Sequence, residues 1–278
     1  MPVNDTFNAK TAPIRVAIAG LGAVGLAVAH ALNEGIDGYV LGAVSARNKA
    51  AAADRLAFLS EPVPIVAVEE LENYADIVIE CAPAELLPKI AESFLRARKT
   101  VIILSCGALL RNEYLIELAA ETGGKIIVPS GALLGLHAVS AAAEGKIESV
   151  KMVTRKPVGG LLGAPYLVEN NIDISQITEP MKVFDGTARE AAVGFPANLN
   201  VAVALSLAGV GADRTKLEIW ADPDLKLNTH KISVRSDSAN LEMSIENIPT
   251  DNPKTGRITA LSVIAALRKL NGPIRVGT

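Results

Sequence analysis

The chain has 278 residues, half of them hydrophobic, with 4% aromatic and 21% charged residues and a formal net charge of −3. That length buries a substantial core and accommodates two domains of ordinary size. With no basic excess and no long run of one sign, nucleic acid and anionic membrane are not the expected partners, and small-molecule chemistry is. The uncharged stretches at 16–29 and 126–143 are broken by Gly, Pro, Ser or His and fall short of a membrane span. The polar opening MPVNDTFNAKTAP carries no signal-peptide core, so a cytoplasmic location is expected. Cys81 and Cys106 show no metal-ligand or CxxC spacing, so no metal site is expected and both are read as free thiols of a reducing compartment.

The segment IRVAIAGLGAVGLAVAHAL, from Ile14 to Leu32, reads as strand, glycine turn and helix. An apolar, β-branched run predicts a parallel strand buried on both faces, and GLGAVG follows at once. In this arrangement Gly20 makes the sharp turn and Gly22 lets a pyrophosphate approach the backbone. Gly25 allows the helix to pack on the strand, while Ala23 and Val24 open the helix whose free N–H groups face the phosphates. Dinucleotide binding is therefore expected here. Tyr39 to Ser45 forms the next strand, and an acidic residue near its end would select NAD through the ribose hydroxyl. Ser45-Ala46-Arg47-Asn48-Lys49 stands there instead. The expectation is NAD or NADP, leaning to NADP or dual use, with Ser45 and Arg47 at the ribose and Arg47 or Lys49 facing a 2′-phosphate.

Short strands at Ile65–Val68, Asp76–Cys81, Val101–Ser105 and Lys125–Val128 alternate with helical stretches, the pattern of a doubly wound parallel sheet. Ligands of such sheets lie beyond the carboxyl ends of the strands. Cys81, Ala82, Ser105, Cys106 and Ala132 are placed there, at the nicotinamide side. Beyond about residue 147 the pattern becomes α+β. Val150–Thr154 is a strand, and helical stretches follow at Thr187–Ala192 and Asn198–Leu207. Three consecutive strands come next, at Lys216–Trp220, His230–Arg235 and Asn240–Ile248, the last two alternating as an antiparallel sheet with one wet face. Thr259–Leu270 is an amphipathic helix. The expected division is a Rossmann domain over 1–133, a catalytic and dimerising domain over 134–254, and a C-terminal segment, 255–278, returning to the first domain.

A nicotinamide enzyme needs a group that moves protons beside the ring. His30 lies in the first helix, near the wrong end of the cofactor. His137 and His230 both fall at the cleft edge. Asn198 and Asn200 cap a helix or bond a ligand, and Arg155, Lys156, Lys254 and Arg257 are cations available to substrate carboxylates.

The strings TRKPVGGLLGAPYL, FDGTAREAAVGFPANLNVAVALSLAGVGADRTKLEIWADP, NTHKI and NPKTGRITALSVIAAL resemble the L-aspartate dehydrogenase family. The resemblance covers nearly the whole chain after the first dozen residues. It implies a Rossmann domain followed by a catalytic α/β domain, and NAD(P)-dependent oxidation of L-aspartate to iminoaspartate, or the reverse. It also implies that His230 is the catalytic residue and that Ala132 and Asn200 contact the cofactor. Arg155, Lys156 and Asn198 are assigned to the substrate on their own chemistry. The hairpin VRSDSANLEM and the connection PVGGLLGAP depart from the family's pattern on the substrate side. Two other readings share the plan: a dihydrodipicolinate-reductase-like NADPH reductase of another imine, and a non-catalytic dinucleotide-binding redox sensor. A homodimer with a dicarboxylic amino acid or imine as ligand is the expected working form.

Overall fold

Val16, Ala17, Ile18 and Ala19 are wholly buried, as a strand covered by helices on both faces requires. They belong to β1 (Ile14–Ala19) of a computed structural model that describes residues 12–196, 199–250 and 256–277. The chain continues through α1 (Ala23–Glu34), β2 (Tyr39–Ser45), α2 (Lys49–Arg55), β3 (Ile65–Val66), β4 (Ile77–Glu80) and α3 (Leu87–Arg96). It completes the first unit with β5 (Thr100–Ile103), α4 (Cys106–Arg111), α5 (Tyr114–Thr122) and β6 (Lys125–Ile127). These six strands pair in the order β3-β2-β1-β4-β5-β6, all parallel. The order reverses between β1 and β4, which places the ligand crevice at their carboxyl ends.

The second unit runs through α6 (Leu136–Ala143), β7 (Ile147–Pro157), α7 (Pro165–Glu169), β8 (Met181–Thr187), α8 (Ala188–Gly194) and α9 (Asn200–Ala208). β9 (Thr215–Asp222), β10 (Asn228–Ser236), β11 (Asn240–Asn247) and α10 (Arg257–Asn271) close the chain. Its sheet has the order β11-β10-β7-β9-β8. The three strands expected to be consecutive are therefore not all neighbours. β10 and β11 form the antiparallel hairpin, but β7 lies between β10 and β9 and runs parallel to β9. Parallel neighbours need a long crossover, and the segment carrying α7 to α9 supplies it. β8 was not legible in the sequence as a strand; it is an edge strand with Lys182 and Asp185 breaking its apolar run.

One face of this sheet is core. Val150 and Met152 on β7 and Ile232 and Val234 on β10 are fully buried, in one cluster with Val203 and Leu205 of α9. Continuing along the same faces by twos, β7 reaches Thr154 and Lys156, and β10, read backwards, reaches His230 and Asn228. The apolar face thus turns polar at one end, towards the first unit. α10 leaves this unit and buries Val263 and Leu267 with Val28 and Leu32 of α1, which is why its apolar stripe is one-sided.

The contact between α1 and β1 rests on Gly25. A Cβ there would lie 2.0 Å from the Gly20 carbonyl oxygen and 3.1 Å from Ile18 Cγ2. Gly25→Ala is expected to cost about 2 kcal/mol or more, the overpacking penalty outweighing the gain in helix propensity. Thermal denaturation checks this; an unchanged midpoint would contradict the close packing.

Candidate active site

A cleft of about 310 Å³ lies between the crevice of the parallel sheet and the polar end of the second sheet. At one end stand Gly22, Ala23 and Val24. Gly20 takes φ +101°, a left-handed conformation that favours glycine, and a Cβ there would meet the Cys81 carbonyl oxygen at 2.6 Å. A Cβ on Gly22 would meet nothing within 4 Å. The space a side chain would take beside the start of α1 is therefore open, and no side chain caps that helix. Open space against bare backbone N–H groups at a helix N-terminus is the shape and charge that a pyrophosphate requires, so a dinucleotide fits this chain.

At the other end the second sheet presents His230 and Lys156, both less than a tenth exposed. His230 pairs across the sheet with Thr154, whose hydroxyl lies 3.1 Å from Nδ1. That contact fixes the ring and leaves Nε2 as the other functional nitrogen. Burial, reinforced by the charge of Lys156, lowers the imidazole pKa to about 3, so His230 is neutral at physiological pH. Burial alone brings the Lys156 ammonium down to about 8. Asn228 pairs with Asn247 across the hairpin, and both line the cleft. Asn247 donates from Nδ2 to the Ala132 carbonyl at 2.9 Å. Because that carbonyl can only accept, the amide cannot flip. Its Oδ1 is the single buried side-chain polar atom lacking a hydrogen-bond partner among the described residues.

The wall between these ends comes from β4, β5 and the loops after them. Glu80 is fully buried at the end of β4. Its Oε2 accepts the N–H groups of Leu104 (3.1 Å) and Ser105 (2.9 Å), and its Oε1 accepts the Ser105 hydroxyl (3.0 Å). Burial raises its pKa, and the hydrogen bonds from Ser105 and Leu104 oppose that rise. Cys106, buried and near the Glu80 charge, is pushed up to about 12, and Cys81 is raised for the same reasons. Neither thiol is a nucleophile at neutral pH.

Two comparisons rest on sequence. Residues 137–270 match the family described as aspartate dehydrogenase, C-terminal, and residues 20–129 match the NAD-binding domain of homoserine dehydrogenase. The chain is 60% identical over 265 residues to L-aspartate dehydrogenase 3 of Bordetella bronchiseptica, covering 95% of this chain and 97% of that one. The chain belongs to the aspartate dehydrogenase family. A second family member, the L-aspartate dehydrogenase of Bradyrhizobium diazoefficiens, is 55% identical over 273 residues, covering 98% of this chain and 97% of that protein. The crystal structure of aspartate dehydrogenase from Thermotoga maritima superposes with a TM-score of 0.71 at 24% identity, covering 95% of this chain and 99% of that one, and shares the fold.

Against this family background, the cleft gathers most of the residues singled out in the sequence. Besides Gly22, Ala23, Val24, Lys156 and His230, its lining includes Cys81 and Ala82, Ser105 and Cys106, and Ala132 and Asn200. Asn200 opens α9, and its Oδ1 accepts the Gly107 N–H at 3.1 Å, so the second unit touches the first turn of α4, just after β5. Gly20 and Gly25 act from beneath, through the turn. Other candidates lie elsewhere. Ser45 is buried, with its carbonyl accepting the Gly20 N–H at 2.8 Å, and Arg47 is exposed beyond β2; neither lines the cleft. Arg155 is on the opposite face of β7 from Lys156, because neighbouring strand residues point to opposite sides. Its guanidinium lies 5.0 Å from the Trp220 ring centroid and 3.6 Å from the Asp222 carboxylate. His30 stacks on Phe58, and His137 is exposed on α6. Arg257 donates to the Pro249 carbonyl. Asn198 and Lys254 lie outside the described residues.

Sequence reasoning passed over Glu80, Thr154 and Asn247. The available signal for Glu80 was a carboxylate closing the apolar run IVIE. Thr154 and Asn247 carried none, since each becomes polar lining only through strand pairing.

Removing the buried charge tests the electrostatics. Between pH 8 and 10.5 the unfolded chain holds the Lys156 proton and the folded chain releases it, so stability rises with pH across that window. Lys156→Met is expected to be more stable than the wild type at pH 7 by up to about 3 kcal/mol. The gap should close by about pH 10.5. Denaturation at both pH values checks this, and a gap independent of pH would contradict the assigned desolvation.

Proposed function

We propose that the chain is an NAD(P)-dependent amino-acid dehydrogenase that interconverts L-aspartate with iminoaspartate, which water converts to oxaloacetate and ammonia. The observation that carries this reading is a neutral, buried imidazole beside a buried ammonium in a cleft that continues to an open helix N-terminus. The bound nicotinamide supplies the acceptor, at C4, for the hydride that leaves the substrate Cα. Lys156 holds a substrate carboxylate, whose negative charge offsets the desolvation of the ammonium. His230, oriented by Thr154 and unprotonated in the empty cleft, takes a proton from the α-ammonium once the substrate carboxylate on Lys156 offsets the charge that, after burial, holds the imidazole's proton affinity down. The nitrogen lone pair so released forms the C=N bond as the Cα–H bond breaks, so one proton and one hydride leave the substrate. His230 releases that proton to solvent and, neutral again, accepts one from the water that adds to the imine carbon.

Both NAD and NADP fit the adenosine end. No carboxylate follows β2 to reject a 2′-phosphate, and the exposed Arg47 and Lys49 are the nearby cations. Free thiols at Cys81 and Cys106 accord with a reducing, cytoplasmic setting. The sheet face opposite the cleft carries Val153, Arg155 and Trp220, and a second copy of the chain docking there would make a homodimer. Light scattering reads that state directly.

Oxaloacetate with ammonia is expected to oxidise NADH or NADPH, followed at the nicotinamide absorbance. Turnover confined to monocarboxylic 2-oxo acids would overturn the substrate. His230→Ala should lower kcat by about 10²- to 10⁴-fold while leaving the dinucleotide Kd within about twofold. Lys156→Ala should raise the KM for aspartate by about tenfold or more. If instead His230→Ala retains full turnover, the proton path lies elsewhere.

A further inference from the structure

Glu80 is fully buried, and its carboxylate is held in place by two backbone N–H groups and a hydroxyl of the turn after β5. A carboxylate so deep normally has a cation beside it. Among the described residues Glu80 makes no ion pair. The buried cation of the cleft, Lys156, belongs to the opposite wall, on β7 of the second sheet. Burial favours the protonated acid, but the N–H groups of Leu104 and Ser105 and the Ser105 hydroxyl all donate to the two Glu80 oxygens, an arrangement that suits the ionised carboxylate.

The position is informative. Glu80 pairs with Ala19 at the reversal of strand order, immediately before Cys81 and Ala82. Its hydrogen bonds point it towards Leu104 and Ser105, which line the cleft between the helix end and His230. A nicotinamide ring held beside His230 and joined to a pyrophosphate at Gly22 would lie along this wall. The oxidised ring is a cation and the reduced ring is neutral, so a fixed negative charge behind the wall acts on one form only.

We propose that the buried Glu80 carboxylate is the counter-charge for the oxidised nicotinamide, so that the cleft binds the cationic form of the cofactor in preference to the neutral one. This rests on the dinucleotide reading of the cleft and assigns it a redox bias. At the separations of a protein wall, one unit charge acting on another is worth about a tenfold change in affinity. Glu80 lines the cleft from a fully buried position, so its role here is positioning and electrostatic.

The test is calorimetric binding of NAD⁺ and NADH separately to the wild type and to Glu80→Gln, without substrate. The neutral variant should weaken NAD⁺ by about tenfold and leave NADH within about twofold. The midpoint potential of the bound couple would then shift by about 30 mV. Should Glu80→Gln fail to fold, Glu80→Met is a second neutral replacement of similar length. Equal weakening of both forms would mean that Glu80 only braces the wall, and no change in either would mean that it is uncharged; each result overturns the proposal. Failure of the wild type to bind either form, or NADP⁺ and NADPH, would instead remove the dinucleotide reading on which it rests.

Discussion

The structure depends on a single transition, from apolar to polar, along one face of the second sheet. Val150 and Met152 are core, and two and four residues beyond Met152 stand Thr154 and Lys156. The same happens on β10, where Val234 and Ile232 give way to His230. The polar groups are therefore as buried as the core they extend. Desolvation pushes Lys156 towards its neutral form, and its remaining charge helps to keep His230 unprotonated. An imidazole in water titrates near neutrality, whereas here burial keeps it in the neutral form throughout the physiological range.

Such a site exists only if the two sheets are held end to end. Several separate hydrogen bonds do this. Asn200 accepts from Gly107, Asn247 donates to Ala132, and Ser262 of α10 accepts the Gly131 N–H at 3.1 Å. On the surface Arg189 of α8 reaches Asp213 within its own unit and Glu113 in the first at 3.1 Å. The exposed pair contributes little to stability. The others converge on the first turn of α4, just after β5, and on the loop after β6, whose Gly131 and Ala132 line the cleft. The return of α10 onto α1 adds a hydrophobic tie. Together these contacts set the distance between the glycine turn and the imidazole.

The glycine turn shows how one motif divides its roles. Gly20 and Gly25 are constrained by neighbours a Cβ would strike, and Gly22 by space that must stay empty. The first two serve the fold and the third serves a ligand. Sequence spacing identified all three, but only the geometry separates them. Among the described residues no helix is long and apolar enough to cross a membrane.

Much of this was legible beforehand because it is local. Alternating apolar runs and helices announced the parallel sheet, the glycines announced the crevice, and the residues following each strand, Cys81, Ala82, Ser105, Cys106 and Ala132, fell into one cleft because parallel strands share a carboxyl end. Period and spacing are properties of the chain itself. What required the tertiary structure was anything decided by pairing between distant strands: that β7 stands between β10 and β9, that Lys156 faces His230 while Arg155 turns away to Trp220, and that Thr154 and Asn247 enter the site at all. A one-residue change of register would reverse the side-chain assignments among them, because side chains along a strand alternate in direction. The sequence by itself determined the kinds of element and the end of the sheet where chemistry would gather. The register between strands decided which side chains meet there, and their burial decided the charges they carry.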